Sequence, residues 1–141
     1  MKTYIPILSD DYCIKELTCG CAICGKEFMI HIPNDYELVQ FVCSDERKRY
    51  LPSYGPYGYL SLLEHLINEW TPGKSITPHI SDMFTTKLSE ICPYRVRLFT
   101  KSQIQCPSCN STKFIIQKEK VVHNLPVEWI EIQEEFIKKL L

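Results

Sequence analysis

Two pairs of cysteines have the spacing of half of a metal site. Cys21 and Cys24 are separated by two residues and followed by Gly25, and Cys106 and Cys109 repeat that spacing. A tight turn of this length directs two thiolates at one ion, so two such turns supply the four ligands of a tetrahedral zinc site. The sequence therefore predicts one Zn²⁺ per chain in a structural role, because four thiolates leave no coordination position for water.

The same four thiolates also form a donor set for iron, as in rubredoxins. Rubredoxins are much shorter and usually acidic, whereas this chain has 141 residues and a formal charge of −1. Zinc is therefore the favoured metal, and iron is kept as the alternative.

The composition is typical of one folded domain in a reducing compartment. Hydrophobic residues make up 45% of the chain and aromatic residues 11%, which is ample for a packed core. The N-terminal residues lack an apolar stretch of signal-peptide length, and no segment approaches the roughly 18 apolar residues of a membrane span. We therefore expect a cytoplasmic protein that does not contact membranes. A secreted, disulfide-bonded chain is the alternative for its eight cysteines.

Alternation of apolar and polar residues predicts strands near both cysteine pairs. Residues 28–32 and 36–43 are predicted strands, and the turn residues 33–35 between them indicate an antiparallel hairpin. Further strands are predicted over 94–100, before the second pair, and over 112–122, after it. These strands would hold the cysteine pairs at their ends.

Three helices are predicted from apolar residues that recur at three- and four-residue steps. The first spans residues 59–70 and is ended by Pro72. The second spans residues 81–89, with its first residue, a serine, as the N-cap. The third is an amphipathic helix that begins at Pro126 and continues toward the end of the sequence.

Each of these tight turns with its cysteine pair is called a knuckle. Two knuckles followed by strands resemble a zinc ribbon. The resemblance implies antiparallel hairpins around a structural zinc ion, but no particular task, because ribbons serve in transcription, translation, polymerases and purely structural roles. Asn110 replaces the glycine that commonly follows the second pair, and asparagine also tolerates the left-handed backbone of such turns. The residues that carry the resemblance are Cys21, Cys24, Gly25, Cys106, Pro107 and Cys109.

The knuckles lie roughly 80 residues apart, against about 15–20 in a typical ribbon. Loop closure over the longer distance costs only about 1.2 kcal/mol more, whereas apparent zinc affinity is on the order of 10–16 kcal/mol. We therefore predict a single α+β domain, residues 1–141, in which a split ribbon encloses a helical insert. The ribbon covers 15–43 and 94–122, the insert 44–93, and the C-terminal helix 123–141.

Four other cysteines have no partner at metal-site spacing. Cys19 lies close enough to the first knuckle to replace Cys21 as a ligand, and Cys13 precedes both. Cys43 and Cys92 flank the insert and, with His31 or His79, are candidates for a second metal site. We expect ordinary buried thiols, because no further CxxC pair supports a second site.

A cluster of basic and tyrosine residues is the candidate binding surface. Basic side chains contact phosphates and tyrosines stack on bases, but tyrosine and arginine also anchor protein interfaces. Asp45 and Glu46 reduce the local positive charge, which favours a protein partner over nucleic acid. The candidate residues are Arg47, Lys48, Arg49, Tyr50, Tyr54, Tyr57, Arg95 and Arg97.

The sequence contains no motif that predicts catalysis. It lacks a glycine-rich phosphate loop, an HExxH segment and the H-x-E with P-C-x-x-C of zinc deaminases. We therefore expect a non-enzymatic, zinc-stabilised protein-binding module of the small adaptor, immunity or inhibitor type. The alternatives are a nucleic-acid-binding zinc ribbon and a rubredoxin-like or thiol redox protein.

Overall fold

A computed structural model describes residues 3–34 and 37–140 and confirms the α+β fold class. Within these ranges, no helix combines the length and apolar character that a membrane crossing requires. The strands are β1 (Tyr4–Pro6), β2 (Cys13–Cys21), β3 (Glu27–Pro33), β4 (Leu38–Cys43), β5 (Lys48–Pro52), β6 (Val96–Leu98), β7 (Phe114–His123) and β8 (Glu131–Gln133). The helices are α1 (Tyr59–Leu66), α2 (Pro78–Glu90) and α3 (Glu134–Leu140), and a 3₁₀ turn spans Lys101–Gln103.

The cysteine sheet consists of β3, β2 and β7, in that order, with antiparallel pairing. Its central strand, β2, buries Leu17, Cys19 and Cys21 on one face, as expected from the period of two in a strand. Phe28 of β3 lies opposite Cys19, and Phe114 of β7 lies opposite Cys21. These pairings bring both knuckles to the same end of the sheet, above a small core. The small core contains Leu17, Cys19, Cys21, Phe28, Ile32, Ile104 and Cys106.

The helix sheet consists of β5, β4 and β6, again antiparallel, and packs against α1 and α2. Three aromatic rings lie at the centre of its core: the Tyr59 ring is 4.9 Å from that of Phe84, and Phe41 lies beside both. The range 44–93, predicted as a helical insert, thus contributes β5 as well as two helices. The large core contains Ile7, Phe41, Cys43, Leu51, Tyr59, Leu62, Leu63, Ile67, Trp70, Ile80, Phe84, Leu88, Cys92, Val96, Ile130 and Ile132.

The predicted hairpin between residues 28–32 and 36–43 is wrong, although both strands exist. Strand β3 pairs with β2 through the first knuckle, which is itself a tight turn, and β4 pairs with β5 and β6. Strand β4 belongs to the helix sheet, where its Phe41 side chain is fully buried in the large core. Positions 35 and 36 of the predicted turn and strand lie outside the described residues.

The helix boundaries also differ from the predictions. Helix α1 ends at Leu66, since Ile67 is extended (φ −118°, ψ 102°). Helix α2 begins three residues earlier than predicted, and its N-cap is Thr77 rather than Ser81. The Thr77 side chain accepts a hydrogen bond from the Ile80 N–H at 3.2 Å, and proline at the first helical position is pre-organised for a helix start.

The C-terminal helix is shorter than predicted. Among the described residues of this segment, the helix spans Glu134–Leu140, whereas Glu131–Gln133 forms strand β8, which pairs with β1. Ile130 and Ile132 are fully buried in the large core, so tertiary packing overrides the amphipathic pattern of this segment.

Candidate metal centre

The first knuckle is a turn closed by its own backbone. The Cys21 N–H donates to the Lys26 carbonyl at 2.9 Å, and the Gly25 N–H donates to the Cys21 carbonyl at 3.1 Å. Gly25 has φ 75°, a left-handed conformation in which glycine carries no steric penalty. The N–H groups of Ile23 and Cys24 point at the Cys21 Sγ, 3.4 and 3.5 Å away. The turn therefore prepares Cys21 to act as a thiolate.

The second knuckle repeats this geometry. The Cys106 N–H donates to the Ser111 carbonyl at 2.9 Å, and the Asn110 N–H donates to the Cys106 carbonyl at 2.8 Å. Asn110 has φ 62° and occupies the position that Gly25 has in the first knuckle. This confirms that asparagine takes the left-handed position that the sequence assigned to it.

The four knuckle thiols converge on one point. Cys21 Sγ lies 3.5 Å from Cys109 Sγ, and Cys24 Sγ lies 3.6 Å from Cys106 Sγ. All four sulfur atoms are within 4.8 Å of one another. Sulfurs at the corners of a zinc tetrahedron, with Zn–S near 2.3 Å, are about 3.8 Å apart. This set of Cys21, Cys24, Cys106 and Cys109, the cysteine cluster, therefore fits a single metal ion.

The backbone of each knuckle favours ionisation of one thiol. The N–H groups of Cys24 and Ile23 lower the pKa of Cys21 to about 6. The N–H of Cys109 lowers the pKa of Cys106 in the same way. Since metals bind the thiolate, the backbone of each knuckle favours the form of these two cysteines that binds a metal.

Repulsion among the four thiolates favours a bound cation. Although the Ser111 N–H lowers the pKa of Cys109, the thiols beside it and burial together raise that pKa to about 11. Four thiolates this close repel one another, so a full set of four charges is favourable only around a positive ion.

The donor set of the cysteine cluster consists of its four sulfur atoms. Within the described ranges, no histidine, aspartate or glutamate joins the four sulfurs in a group of possible metal ligands. Cys21 and Cys106 are buried, while Cys24 and Cys109 lie at the surface. Four sulfur donors without a fifth group are the donor set of a structural site rather than a catalytic one.

The other four cysteines form no second group of three possible metal ligands among the residues that the structure describes. Cys19 is buried in the small core, where burial raises its pKa, and it does not replace Cys21 in the cluster. Cys13 Sγ lies 3.4 Å from His123 Nδ1, at the far end of β2. Burial raises the pKa of Cys43, and that of Cys92 to about 12, so both are inert thiols of the large core.

The two histidines considered for a second site lie elsewhere. His31 Nε2 is 3.3 Å from the Glu16 carboxylate, and His79 Nε2 is 3.9 Å from that of Glu69. Neither belongs to a metal-ligand group within residues 3–34 and 37–140.

The structure buries two members of the predicted binding cluster. The Arg49 guanidinium forms a bidentate pair with Asp45, at 2.9 and 2.8 Å, and stacks 4.0 Å from the centre of the Tyr94 ring. Tyr50 is buried between the sheets. Arg49 and Tyr50 therefore stabilise the fold and do not face solvent.

The remaining basic residues of the cluster differ in what they contact. Arg47 pairs with Glu128 at 3.3 Å, and the Lys48 ammonium lies 4.7 Å from the centre of the Phe99 ring. Arg95 and Arg97 are exposed and line a cleft of about 910 Å³ between α2 and β6.

The loop between β5 and α1, residues 53–58, contains Tyr54 and Tyr57 and is called the tyrosine loop. Tyr54 is 63% exposed and lines a groove of about 440 Å³, whereas Tyr57 packs against the large core. Sequence reasoning did not find the rest of this groove, because its walls come from α1 and from the loop that contains Ile76.

Sequence reasoning also passed over Gln40, whose buried amide has no hydrogen bond within the described part of the chain. The sequence signal for this buried amide was a single polar residue inside the otherwise apolar segment 38–43.

The chemistry that the geometry supports is thus the binding of one metal ion by four cysteines. The surface also has a cleft lined by Arg95 and Arg97 and a groove lined by Tyr54. No protein-family model, no curated protein and no solved structure matches this chain.

Proposed function

We propose that this protein is a zinc-stabilised, non-enzymatic binding module in which β2, β3 and β7 form a split zinc ribbon. The observation that carries the proposal is the convergence of four sulfur atoms within 4.8 Å, from two knuckles of the same backbone geometry. Zinc suits this site because it accepts four thiolates in a tetrahedron and needs no open position.

The zinc ion would hold together the knuckle end of the cysteine sheet, whose own core is small. The small core lies directly beneath the knuckles and includes Cys21 and Cys106 themselves. Without a cation, the same four sulfurs repel one another whenever they ionise. Zinc binding requires reduced thiols, so the proposal includes a reducing compartment such as the cytoplasm.

Metal analysis of the protein purified under reducing conditions tests this part. We expect about one zinc per chain and a colourless solution, whereas a red protein with visible absorbance would assign the site to iron. Cys24→Ser and Cys109→Ser should each lose the metal. Cys13→Ser is the matched control, since Cys13 lies on the same sheet outside the cluster and its variant should retain zinc. A folded protein that carries no metal would contradict the proposal.

The binding role is assigned to the groove beside the tyrosine loop. The groove is lined by the exposed side chains of Tyr54 and Ile76, together with Leu60 and the buried Trp70. An exposed tyrosine next to an apolar groove is the arrangement that anchors protein interfaces. The favoured partner is therefore another protein.

A pair of variants tests this assignment. Tyr54→Ala should reduce capture of the partner from a lysate of the native host without lowering the melting temperature. Leu8→Ala is the control, because Leu8 is 62% exposed and does not line the groove. Equal capture by both variants would remove the groove from the proposal.

Nucleic-acid binding is the second candidate, supported by a row of cations on the helix sheet. Lys48 and Arg97 both lie opposite Val42 in the strand register and so share one face, next to Phe99. Neither these two residues nor Lys101 forms an ion pair with any residue of the described ranges. Affinity for single strands that falls steeply with salt, and is lost in Arg97→Glu, would support it. Absence of binding at low salt would exclude it.

A further inference from the structure

Strand β7 is exposed on both faces along nearly its whole length. Of its ten residues, only Phe114 and Val122 are partly buried. Its exposed apolar side chains are Ile115, Ile116 and Val121, at 66%, 49% and 51%. A sheet strand normally buries at least one face, so this strand has an unusually large free surface.

Strand β7 is also an edge of the cysteine sheet. It pairs with β2 along one side only, from Cys13 opposite His123 to Cys21 opposite Phe114. No backbone hydrogen bond joins its other side to the residues that the structure describes. Such an edge is a template for an added strand.

The charges at the middle of β7 define what can pair there. Lys118 and Lys120 lie opposite Thr18 and Glu16, so they share the face that points away from the small core. Glu16 contacts His31 at 3.3 Å, and neither lysine is in an ion pair with a described residue. Glu119, on the other face, is already paired with Lys15 at 3.6 Å. The edge therefore presents two lysines two residues apart that form no ion pair with the described residues.

A second copy of this chain fits the edge poorly. In a two-fold antiparallel pair, the residue at the axis faces its own copy. Two registers keep most of β7 paired. With Lys118 at the axis, the Lys118 side chains of the two copies face each other. With Glu119 at the axis, the two Glu119 side chains face each other and Lys118 faces Lys120 of the other copy. Like charges directly opposite each other destabilise a sheet, so self-pairing is disfavoured.

We propose that β7 binds an extended segment of another protein by strand addition. The segment would carry two acidic residues at alternate positions, opposite Lys118 and Lys120, flanked by apolar residues opposite Ile115 and Val122. Backbone hydrogen bonds would supply the pairing, and the acidic residues would supply the specificity. This inference rests on the proposed protein-binding role but uses a surface separate from the Tyr54 groove.

Labelled peptides test the proposal against the zinc-loaded full chain. The first peptide alternates threonine and valine around two glutamates two positions apart, and the second replaces both glutamates by lysine. Fluorescence anisotropy should show that the glutamate peptide binds about tenfold more tightly. A third peptide, the first with alternate backbone nitrogens methylated, should bind weakly because it cannot complete the ladder.

A charge exchange makes the test specific for β7. The double variant Lys118→Glu with Lys120→Glu should prefer the lysine peptide. The milder variant Lys118→Gln with Lys120→Gln should lose the preference and serves if the first does not fold. The control, Lys138→Glu with Lys139→Glu, changes two exposed lysines of α3 and should bind as the wild type does.

Three results would overturn the proposal: equal binding of both charged peptides, full affinity of the methylated peptide, or an unchanged preference in the Lys118 and Lys120 variants. Dimerisation lost in those variants would assign the edge to a second copy instead. Single-stranded DNA binding lost in the same variants would assign the lysines to phosphates. Zinc content and Tyr54-dependent capture are measured separately, so a failure here is distinguishable from failure of the proposed function.

Discussion

The two three-stranded sheets of this protein are stabilised by different means. The helix sheet shares a core of sixteen buried residues with α1, α2 and the segments next to β1 and β8. The small core beneath the knuckles has seven, three of them cysteines, and a further cluster of Tyr12, Ile14, Leu38 and Tyr50 joins the far end of β2 to the helix sheet. Because apolar burial supplies most folding free energy, we expect the helix sheet to persist by packing alone. The cysteine sheet depends on its knuckles and, in our proposal, on zinc.

Removal of the metal should have the largest effect and should act on one sheet. A strong chelator removes an apparent stabilisation on the order of 10–16 kcal/mol. Hydrogen exchange followed by mass spectrometry should then show lost protection in β2, β3 and β7, with α1 and α2 still protected. Cys106→Ser should reproduce this pattern. Simultaneous loss in all elements would show that the sheets form one cooperative unit.

A cavity in the large core should have the next largest effect, on the other sheet. Phe84 is fully buried between Phe41 and Tyr59, so Phe84→Ala should cost about 3–5 kcal/mol of unfolding free energy. Urea unfolding measures this loss, and the metal content should stay at the wild-type level. Lys87→Ala, at an exposed position of the same helix, should change stability by less than about 0.5 kcal/mol. Loss of zinc in the Phe84 variant would contradict the separation of the two sheets.

A substitution at the junction between the two sheets should raise stability instead of lowering it. Gln40 is 3% exposed, lines a cavity of about 250 Å³ with Ile32 and Phe99, and has no hydrogen bond to its side-chain amide within residues 3–34 and 37–140. An unsatisfied buried polar group costs about 1–3 kcal/mol, so Gln40→Met should raise stability by about 1–2 kcal/mol. Lower stability in urea unfolding would show that the amide has a partner, such as a ligand in this cavity.

The smallest predicted effect is a pH dependence at the β4–β5 turn. The Arg49 guanidinium holds the pKa of Asp45 at about 2, below its ordinary value of 3.8. A lowered folded-state pKa adds stability that is complete above the ordinary value and is lost as pH falls toward 2. The stability difference between wild type and Asp45→Asn should therefore shrink between about pH 4 and pH 2. Tryptophan fluorescence of the metal-free chain during urea unfolding measures it, and a constant difference would refute the pairing.

The candidate metal centre was predictable because its geometry is local. Each knuckle closes hydrogen bonds over six residues, from Cys21 to Lys26 and from Cys106 to Ser111, so residue spacing alone specifies the turn. The α+β class followed from periodicity for the same reason. Both helices of the middle region were found because their apolar stripes are local patterns too.

Strand partners and the C-terminal segment were not predictable in this way. The four-residue gap between β3 and β4 resembles a hairpin turn, but β3 pairs through the first knuckle, and nothing in either strand's own sequence identifies its partner. The segment around Ile132 has a helical apolar pattern, yet it pairs with β1 from the other end of the chain. Such choices depend on which distant surfaces become buried together, and one sequence does not display them.

The pairing of β1 with β8 has a consequence for synthesis on the ribosome. Helices α1 and α2 emerge early, but their core lacks Ile130 and Ile132 until those residues leave the exit tunnel. The four sulfurs, by contrast, are all present once Cys109 has emerged, and β7 follows directly. Nascent chains should therefore acquire their ion before their larger apolar interior closes, which leaves the early helices as clients for chaperones during that interval.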